Sequence, residues 1–330
     1  MKLVIPGGTG QVGTILARAF AADGHEVVVL SRSPAPGAAW RWPWRVVAWD
    51  AQTVGAWAAE LEGAHAVVNL AGRSVNCRYT PENRRLIMDS RVLSTRAVGL
   101  AIARAARPPR VWLQMSTATI YAHRHDAPND ESSGVLGGAE PDAPDAWRFS
   151  IDVATAWERA VAEAETPRTR RVTMRAAVVM SPDRGGVFDA LLALVRLGLG
   201  GRAGGGRQYV SWIHDADFVR AVRWLIARDA LSGAVNVASP SPLPNADFMR
   251  ALREAWGTPV GLPAARWMLE VGAFAMRSET ELILKSRRVV PGRLLAGGFT
   301  FMHPEWPEAA RDLVRRWRAI ARGLRPSAAS

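Results

Sequence analysis

The sequence predicts an α/β fold in which a doubly wound parallel sheet is joined to a smaller, mainly helical C-terminal lobe. Short β-branched runs alternate with helical patterns through the first half of the chain, as in sheets covered by helices. A glycine cluster stands at the first strand-to-helix turn, the pattern changes after residue 181, and after residue 238 it is mostly helical. With 330 residues, 48% of them hydrophobic, the chain can bury the cores of a large domain and a smaller lobe.

The predicted sheet takes its strands from the first 180 residues. Apolar, β-branched runs place them at 3–5, 26–30, 45–49, 66–70, 111–115 and 172–179. Helical periodicity predicts helices at 12–22, 81–106 and 151–164, and the second begins with a proline, which a first helical turn tolerates. The polar segment 122–147 is rich in Asp, Pro and Gly, and a loop of that length is usually functional or mobile.

The second half contains shorter elements. A glycine-rich turn region spans 198–206, and the elements that follow are predicted as a strand at 209–213, a helix at 215–227 and a strand at 235–238. The remainder, to about residue 322, is mostly helical. We therefore expect a sheet-bearing domain over 1–240, with part of the substrate lobe inserted at about 181–208, and a mainly helical substrate or lid domain over 241–330.

Charge and cysteine content narrow the class of protein. The net charge of +12 is carried almost wholly by dispersed arginines, without an aromatic-interleaved basic module, so we expect no nucleic-acid partner. Cys77 is the single cysteine, which excludes an intrachain disulfide and favours the cytoplasm. The longest apolar helical stretch, at 267–276, is shorter than the roughly 20 residues that a bilayer span needs, so we expect no membrane association.

The glycine cluster predicts a dinucleotide site. Residues 7–13 read Gly7-Gly8-Thr9-Gly10-Gln11-Val12-Gly13 and satisfy both GxGxxG and GxxGxxG. They follow a predicted strand and open a predicted helix, which is the context of a Rossmann βαβ unit. Such glycines allow a tight turn and let backbone N–H groups approach a pyrophosphate at the positive end of the helix. All seven residues are therefore candidate cofactor ligands.

The end of the second predicted strand indicates which cofactor binds. An acidic residue there would accept the ribose 2′-hydroxyl of NAD, but the sequence reads Leu30-Ser31-Arg32-Ser33. Arg32 can bind a 2′-phosphate through two hydrogen bonds and stack on adenine. We therefore predict NADP(H), with NAD as the alternative, and name Ser31 and Arg32 as cofactor ligands.

Two further strand ends are candidates for the same site. Asp50 follows the third predicted strand, where it either reaches the adenine amino group or caps the next helix. The fourth strand ends in Asn69-Leu70-Ala71-Gly72, whose small residues would let the backbone lie close to the cofactor.

These and other motifs resemble the extended short-chain dehydrogenase/reductase superfamily. More narrowly, the chain resembles its atypical, NAD-dependent epimerase/dehydratase-like branch, which carries a C-terminal domain of unknown function. The further marks are Ser90-Arg91-Val92, Ser116-Thr117-Ala118-Thr119-Ile120-Tyr121, Arg175, Ser211-Trp212-Ile213-His214-Asp215, Ser286-Arg287-Arg288-Val289-Val290-Pro291 and Gly297-Gly298-Phe299. The resemblance implies the fold and a nicotinamide cofactor, and it adds Arg91 and Ser116 to the cofactor-binding residues.

The resemblance fails at the superfamily's Tyr-x-x-x-Lys pair, in which the lysine lowers the tyrosine pKa and holds the ribose. Val153 stands in the place of the tyrosine and Trp157 in the place of the lysine. An apolar pair cannot transfer a proton, so another group must supply the acid if the chain is an enzyme.

Ser116 and Tyr121 are the candidate catalytic residues. Ser116 matches the superfamily's substrate-binding serine, although its hydroxyl could instead satisfy local backbone groups. Tyr121 is an alternative proton donor, as are the nearby histidines, unless it packs beneath the cofactor. His214 and Asp215 are more typical of a helix start than of a catalytic dyad. No His, Cys and carboxylate group has metal-ligand spacing, so we expect no metal site.

Two functions fit this sequence. The first is an NADP(H)-dependent oxidoreductase or epimerase that acts on a small carbonyl or sugar-type substrate. The second is a non-catalytic dinucleotide-binding protein, a redox sensor or scaffold that acts through partners, and the missing Tyr-x-x-x-Lys pair favours it. We expect a monomer or homodimer in either case.

Overall fold

Most strands of one large sheet come from the N-terminal half of the chain. The computed structural model describes residues 1–33, 42–140, 143–265 and 281–323, and within these ranges the sheet has seven strands in the order β3-β2-β1-β4-β5-β6-β10. They are β1 (Lys2–Pro6), β2 (Glu26–Ser31), β3 (Arg45–Ala48), β4 (Ala66–Asn69), β5 (Val111–Thr117), β6 (Arg170–Ala176) and β10 (Gly233–Val237). The predicted fold class, a doubly wound α/β sheet with a mainly helical C-terminal region, is confirmed.

The strand order reverses between β1 and β4. Leu3 of β1 lies opposite Val27 of β2 on one side and Ala66 of β4 on the other, and both pairings are parallel. The chain therefore builds outward through β2 and β3 and then returns to build β4, β5 and β6 on the other side. Crevices at the carboxyl ends of strands beside such a reversal are where open α/β sheets bind ligands.

Three long helices accompany these strands: α1 (Gln11–Ala22), α2 (Pro81–Arg104) and α3 (Asp145–Ala162). The Thr80 hydroxyl accepts a hydrogen bond from the Asn83 N–H at 3.3 Å and caps α2, whose first residue is the predicted proline. Short 3-10 helices span Ala56–Leu61 and Ala118–Ile120. The prediction that α3 begins at residue 151 is wrong, because the helix starts directly after Pro144.

The chain divides into two compact units that alternate along the sequence. The first contains Met1–Ile120, Ala143–Ala176 and Val219–Val235, and the second contains Tyr121–Asp142, Ala177–Phe218 and Asn236–Ser330. This division does not test independent folding, so domain limits near residue 240 stay a prediction. In the first unit, apolar side chains of the sheet, α2 and α3 form one core that includes Val67, Val98, Trp112 and Val161.

The second unit contains small sheets and most of the remaining helices. The segment 172–179 is not the single strand that we predicted, because β7 (Val178–Met180) pairs with β9 (Trp212–His214) and not with the large sheet. β8 (Tyr209–Val210) pairs antiparallel with β11 (Leu243–Pro244). The helices are α4 (Val187–Arg196), α5 (Asp215–Ala227, shared between the units), α6 (Asn245–Trp256), α7 (Glu281–Leu284), α8 (Gly292–Ala296) and α9 (Trp306–Ala321).

A second core fills this unit. Trp306 of α9 stacks on Phe248 of α6 with a centroid distance of 4.0 Å, and its indole donates a hydrogen bond to the Phe248 carbonyl. The apolar stretch 267–276 lies outside the described residues. None of the helices in the described ranges is long and apolar enough to cross a membrane.

Candidate functional site

The turn between β1 and α1 is shaped by close backbone packing. Gly7 has a φ of +76°, and a Cβ atom there would lie 2.7 Å from the Ala71 Cα. A Cβ on Gly13 would lie 2.4 Å from the Gly8 Cα. Side chains at these positions would therefore collide with backbone that cannot move easily, so the fold itself requires glycine at Gly7 and Gly13.

Gly10 differs from Gly7 and Gly13, because packing within the fold does not require a glycine at this position. A Cβ on Gly10 would meet only the Gly7 carbonyl oxygen, at 3.8 Å, which is ordinary contact. Gly10 is the N-cap of α1 and leaves the first helical N–H groups without a side-chain cap. In the described part of the chain, the buried Gln11 Nε2 has no hydrogen-bond partner. Open space, uncapped amides and an orphaned donor together fit an anionic group such as a pyrophosphate.

A cleft of about 410 Å³ lies beside this turn in the first unit. Nine predicted cofactor residues line it: Gly7, Thr9, Gly10, Ser31, Arg32, Asp50, Leu70, Ala71 and Gly72. The sequence analysis missed nine others: Leu30, Trp49, Ala51, Gln52, Arg73, Leu86, Asp89, Ser90 and Leu93. Four of these come from α2, whose apolar pattern gives no sign of which positions face a ligand.

Several predicted residues support the cleft wall or lie outside the lining. Asn69 is fully buried, and its side chain joins Gln114 of β5 at 2.9 Å and accepts a hydrogen bond from the Ala71 N–H. Gly8 and Gly13 pack beneath the turn, and Gln11 and Val12 begin α1. Asn69 therefore fixes the backbone path of the wall.

Arg32 and Asp50 lie on the β2–β3 side of the cleft. Arg32 is exposed and forms no ion pair with a carboxylate of the described residues. The Asp50 carboxylate accepts hydrogen bonds from the Thr53 hydroxyl and from the N–H groups of Thr53 and Gln52, which lower its pKa. Asp50 thus closes a turn and does not cap the 3-10 helix, because that helix has Gly55 as its N-cap. Arg32 is thus a cation of the cleft lining that has no carboxylate partner among the described residues and can bind a ligand.

Ser116 takes part in a network that the sequence analysis did not foresee. Its hydroxyl donates a hydrogen bond to Glu158 Oε1 at 2.7 Å. Arg175 donates two hydrogen bonds to the same carboxylate, at 2.9 Å from Nε and 2.8 Å from Nη2. Ser116 and Arg175 face each other in the β5–β6 register, which is the signal that could have linked them. Glu158 is the functional candidate that we missed, and it directly follows Trp157 on α3.

Val153 and Trp157, the α3 residues in the places of the superfamily's tyrosine and lysine, are packed against neighbouring side chains. Val153 is buried in a cluster with Tyr79, Ile87 and Phe149. The Trp157 indole donates a hydrogen bond to the Thr95 hydroxyl at 3.0 Å. No proton-transferring side chain stands at either position, as the sequence predicts.

Tyr121 belongs to the second unit, where it is 2% exposed. Its hydroxyl donates a hydrogen bond to Asn236 Oδ1 at 2.9 Å. Nearby, His123 Nδ1 accepts a hydrogen bond from the Ser286 N–H at 2.8 Å, and burial lowers the His123 pKa. His125 is exposed. A role for Tyr121 in proton transfer stays a prediction, and its surroundings are those of a packed core residue.

A polar cluster in the second unit surrounds His214. Its Nδ1 accepts a hydrogen bond from the Ala216 N–H, so the other ring nitrogen donates to Asp312 at 3.1 Å. Arg316 donates to both Asp215 oxygens at 2.7 Å. His214, His303 and Asp312 are of residue types that bind metals, and their potential ligand atoms lie within 4.8 Å of one another. The spacing of these residues in the sequence does not indicate this cluster. Both His214 nitrogens are already engaged, and Arg316 adds positive charge, so the cluster is built as a hydrogen-bond network.

Comparisons with known proteins agree with this architecture. Residues 3–238 match the model of the NAD dependent epimerase/dehydratase family, and residues 264–313 match a domain of unknown function, DUF1731. The epimerase family protein SDR39U1 of Bos taurus is 32% identical over 95% of this chain and 100% of its own length. The epimerase family protein YfhF of Bacillus subtilis is 27% identical over 95% of this chain and 98% of its own.

Solved structures are also similar to this chain along almost its whole length. The crystal structure of human SDR39U1 (isoform 2) with NADPH has a TM-score of 0.81 and 30% identity, and the match covers 96% of this chain and 99% of that one. The nucleoside-diphosphate sugar epimerase from Corynebacterium glutamicum has a TM-score of 0.72 and 26% identity, over 99% of this chain and 62% of that one.

Proposed function

We propose that this chain, which belongs to the NAD dependent epimerase/dehydratase family, is an NADP(H)-dependent oxidoreductase or epimerase. Its substrate would be a small carbonyl or sugar-type compound. The observation that carries the proposal is the cleft beside the glycine turn, in which Arg32 directly follows β2 at the position where NAD-binding proteins have an acidic residue. The NADPH bound by the similar human protein supports NADP(H) over NAD(H).

Different residues of the chain would bind different parts of the cofactor. Thr9, Gly10 and Gln11 lie where a pyrophosphate would meet the uncapped N-terminus of α1. Arg32 would bind the 2′-phosphate, and Asp50, which lines the same side of the cleft, would contact adenine. When bound, the cofactor supplies or accepts the hydride.

Ser116 and Glu158 offer a route for the proton. Ser116 already donates its hydrogen to Glu158, so a lone pair of its oxygen remains free to accept one from a substrate hydroxyl. In the oxidising direction, Ser116 takes the substrate proton as its own passes to Glu158, and reduction reverses both transfers. Arg175 orients the Glu158 carboxylate for this role through two hydrogen bonds.

The alternative, a dinucleotide-binding protein without catalysis, is favoured by one observation. Val153, in the place of the superfamily's tyrosine, is buried among apolar side chains and has no proton to transfer. Such a protein would bind NADP(H) tightly and act through a partner that recognises the loaded form.

Binding and turnover measurements separate these functions. We expect NADPH to bind more tightly than NADH, and Arg32→Ala to weaken NADPH by roughly 10-fold or more while changing NADH little. A panel of carbonyl compounds and nucleotide sugars should then give NADPH oxidation that Ser116→Ala abolishes. Tight NADPH binding without turnover would support the non-catalytic function, and tighter NADH binding that is insensitive to Arg32 would refute the cofactor assignment.

A further inference from the structure

Apolar side chains cover both the buried and the exposed face of α4. Its inner face contributes three fully buried residues to the second core, Phe188, Leu192 and Val195. Its exposed face repeats apolar residues at helical spacing, and these are Val187, Ala190, Leu194 and Leu197, the last of which caps the helix. A surface helix normally exposes polar residues on its outer face, so an apolar outer face indicates a site of contact.

The exposed apolar surface continues beyond the end of α4. Leu197 is 72% exposed, Leu199 is also exposed, and Leu262 is 59% exposed. The Leu262 N–H donates a hydrogen bond to the Gly198 carbonyl at 2.8 Å, which places Leu262 beside the two other leucines. The apolar face of α4 thus consists of Val187, Ala190, Leu194, Leu197, Leu199 and Leu262.

Arginines and tryptophans alternate beside this face. The guanidinium carbons of Arg184 and Arg196 lie 4.4 Å and 4.9 Å from the centroid of the Trp317 ring. Arg196 also lies 5.7 Å from the Trp256 ring, and Arg318 lies 4.3 Å from that ring. We call these five residues the arginine–tryptophan ladder. Because Arg184 shortly precedes α4 and Arg196 is its last residue, the ladder borders the apolar face at both ends of the helix.

The ladder carries an excess of positive charge. Among the carboxylates that the structure describes, Asp189 alone forms an ion pair with a ladder arginine, at 3.8 Å from Arg184. The same carboxylate accepts a hydrogen bond from the Trp317 indole at 2.7 Å. Arg184, Arg196 and Arg318 are all exposed, and stacking on the rings orients their guanidinium groups without neutralising them.

We propose that the apolar face of α4 and the arginine–tryptophan ladder together bind an anionic membrane surface. The leucines enter the boundary between headgroups and acyl chains, and the arginines contact the anionic headgroups. The expectation of no membrane association rests on the length of an apolar span, which a contact with the membrane surface does not require.

Exposure and charge favour this partner over nucleic acid and over a second copy of the chain. Base stacking needs accessible rings, but Trp317 is 5% exposed and has two arginines against its ring. Nucleic acid also offers no apolar phase to protruding leucines. A two-fold contact through this face would bring the ladders of both copies to one interface, where like charges repel.

Vesicle sedimentation of the full chain tests the proposal. Wild-type protein should bind vesicles with about 30% phosphatidylserine roughly 10-fold or more tightly than vesicles of phosphatidylcholine alone, and added salt should weaken this binding. Leu197→Ser removes apolar surface and Arg184→Gln removes charge, and each should weaken binding by about threefold or more.

Matched controls are available on α2, in the first unit. Leu100 is 51% exposed, and the Arg96 side chain is 59% exposed and lies 3.8 Å from Glu163, much as Arg184 lies beside its carboxylate. Leu100→Ser and Arg96→Gln should change vesicle binding by less than about twofold. The unfolding midpoint of each variant should equal that of the wild type, which separates lost binding from lost folding.

Several results would overturn the proposal. Equal losses in Arg184→Gln and Arg96→Gln would attribute the binding to the net charge of +12 alone. Equal binding to neutral and anionic vesicles, or wild-type binding in Leu197→Ser, would exclude this face. Without vesicle binding, retention of duplex DNA or RNA that depends on Arg184 would assign the ladder to nucleic acid. A dimer that Leu197→Ser dissociates, measured by sedimentation velocity, would assign the face to a second copy.

Discussion

The Ser116 hydroxyl lies 2.7 Å from the carboxylate of Glu158, a residue 42 positions away on α3. The carboxylate is held from its other side by Arg175, and the side chains of this ion pair are 12% and 17% exposed. The Ser116 hydroxyl, the Glu158 carboxylate and the Arg175 guanidinium thus form one chain of hydrogen bonds in the first unit.

Glu158→Gln and Ser116→Ala should separate the structural and chemical roles of this chain. The Gln variant removes the counter-charge of a largely buried Arg175, so the free energy of unfolding should fall by about 3–5 kcal/mol. The Ala variant leaves that ion pair intact and should lose about 1 kcal/mol, yet it should abolish turnover. Urea unfolding measures both. Equal stability losses in the two variants would contradict this division.

Gly10→Ala and Gly13→Ala should affect different properties. A methyl group at Gly10 meets no atom closer than 3.8 Å, so stability should change by less than about 1 kcal/mol. It fills the space that a pyrophosphate needs, so NADPH affinity should fall by roughly 10-fold or more. At Gly13 the methyl lies 2.4 Å from the Gly8 Cα and should cost about 1–3 kcal/mol of stability. Thermal unfolding and NADPH titration of both variants check this, and full affinity in Gly10→Ala would count against the site.

Tyr121→Phe should alter stability and leave turnover unchanged. The variant deprives the buried Asn236 Oδ1 of its donor, which costs about 1–3 kcal/mol. The kcat of the variant on any active substrate should equal that of the wild type. A large loss of kcat with unchanged stability would instead place Tyr121 in proton transfer.

Lys285 should make stability depend on pH in the alkaline range. Burial first, and then the charge of Arg287, lower its pKa from 10.5 to about 8, against Glu281 and Glu140. Between pH 8 and pH 10.5 the unfolded chain binds more protons at this group than the folded chain does, so stability rises with pH there. The free energy of unfolding of the wild type, relative to Lys285→Met, should therefore increase over that window. A constant difference would show that Lys285 titrates normally.

The sequence by itself determined the local features. Apolar runs separated by helical patterns identified six of the seven strands of the sheet, because burial on both faces demands continuous β-branched residues, and only the structure showed that β10 joins them. The glycine turn, and the absence of a carboxylate beside Arg32, could be recognised in the sequence because each feature involves consecutive residues. The missing Tyr-x-x-x-Lys pair followed from the resemblance to the superfamily, which places Val153 and Trp157 at those two positions.

Only the tertiary structure decided the contacts between distant elements. Register within the sheet sets Ser116 opposite Arg175, and the packing of α3 then brings Glu158 to both. Helix packing also seats Arg91 on Trp157, although 66 positions of sequence separate them. Such meetings depend on how whole elements align in space, and a periodicity along one element shows which face is buried but not which residue lies against it.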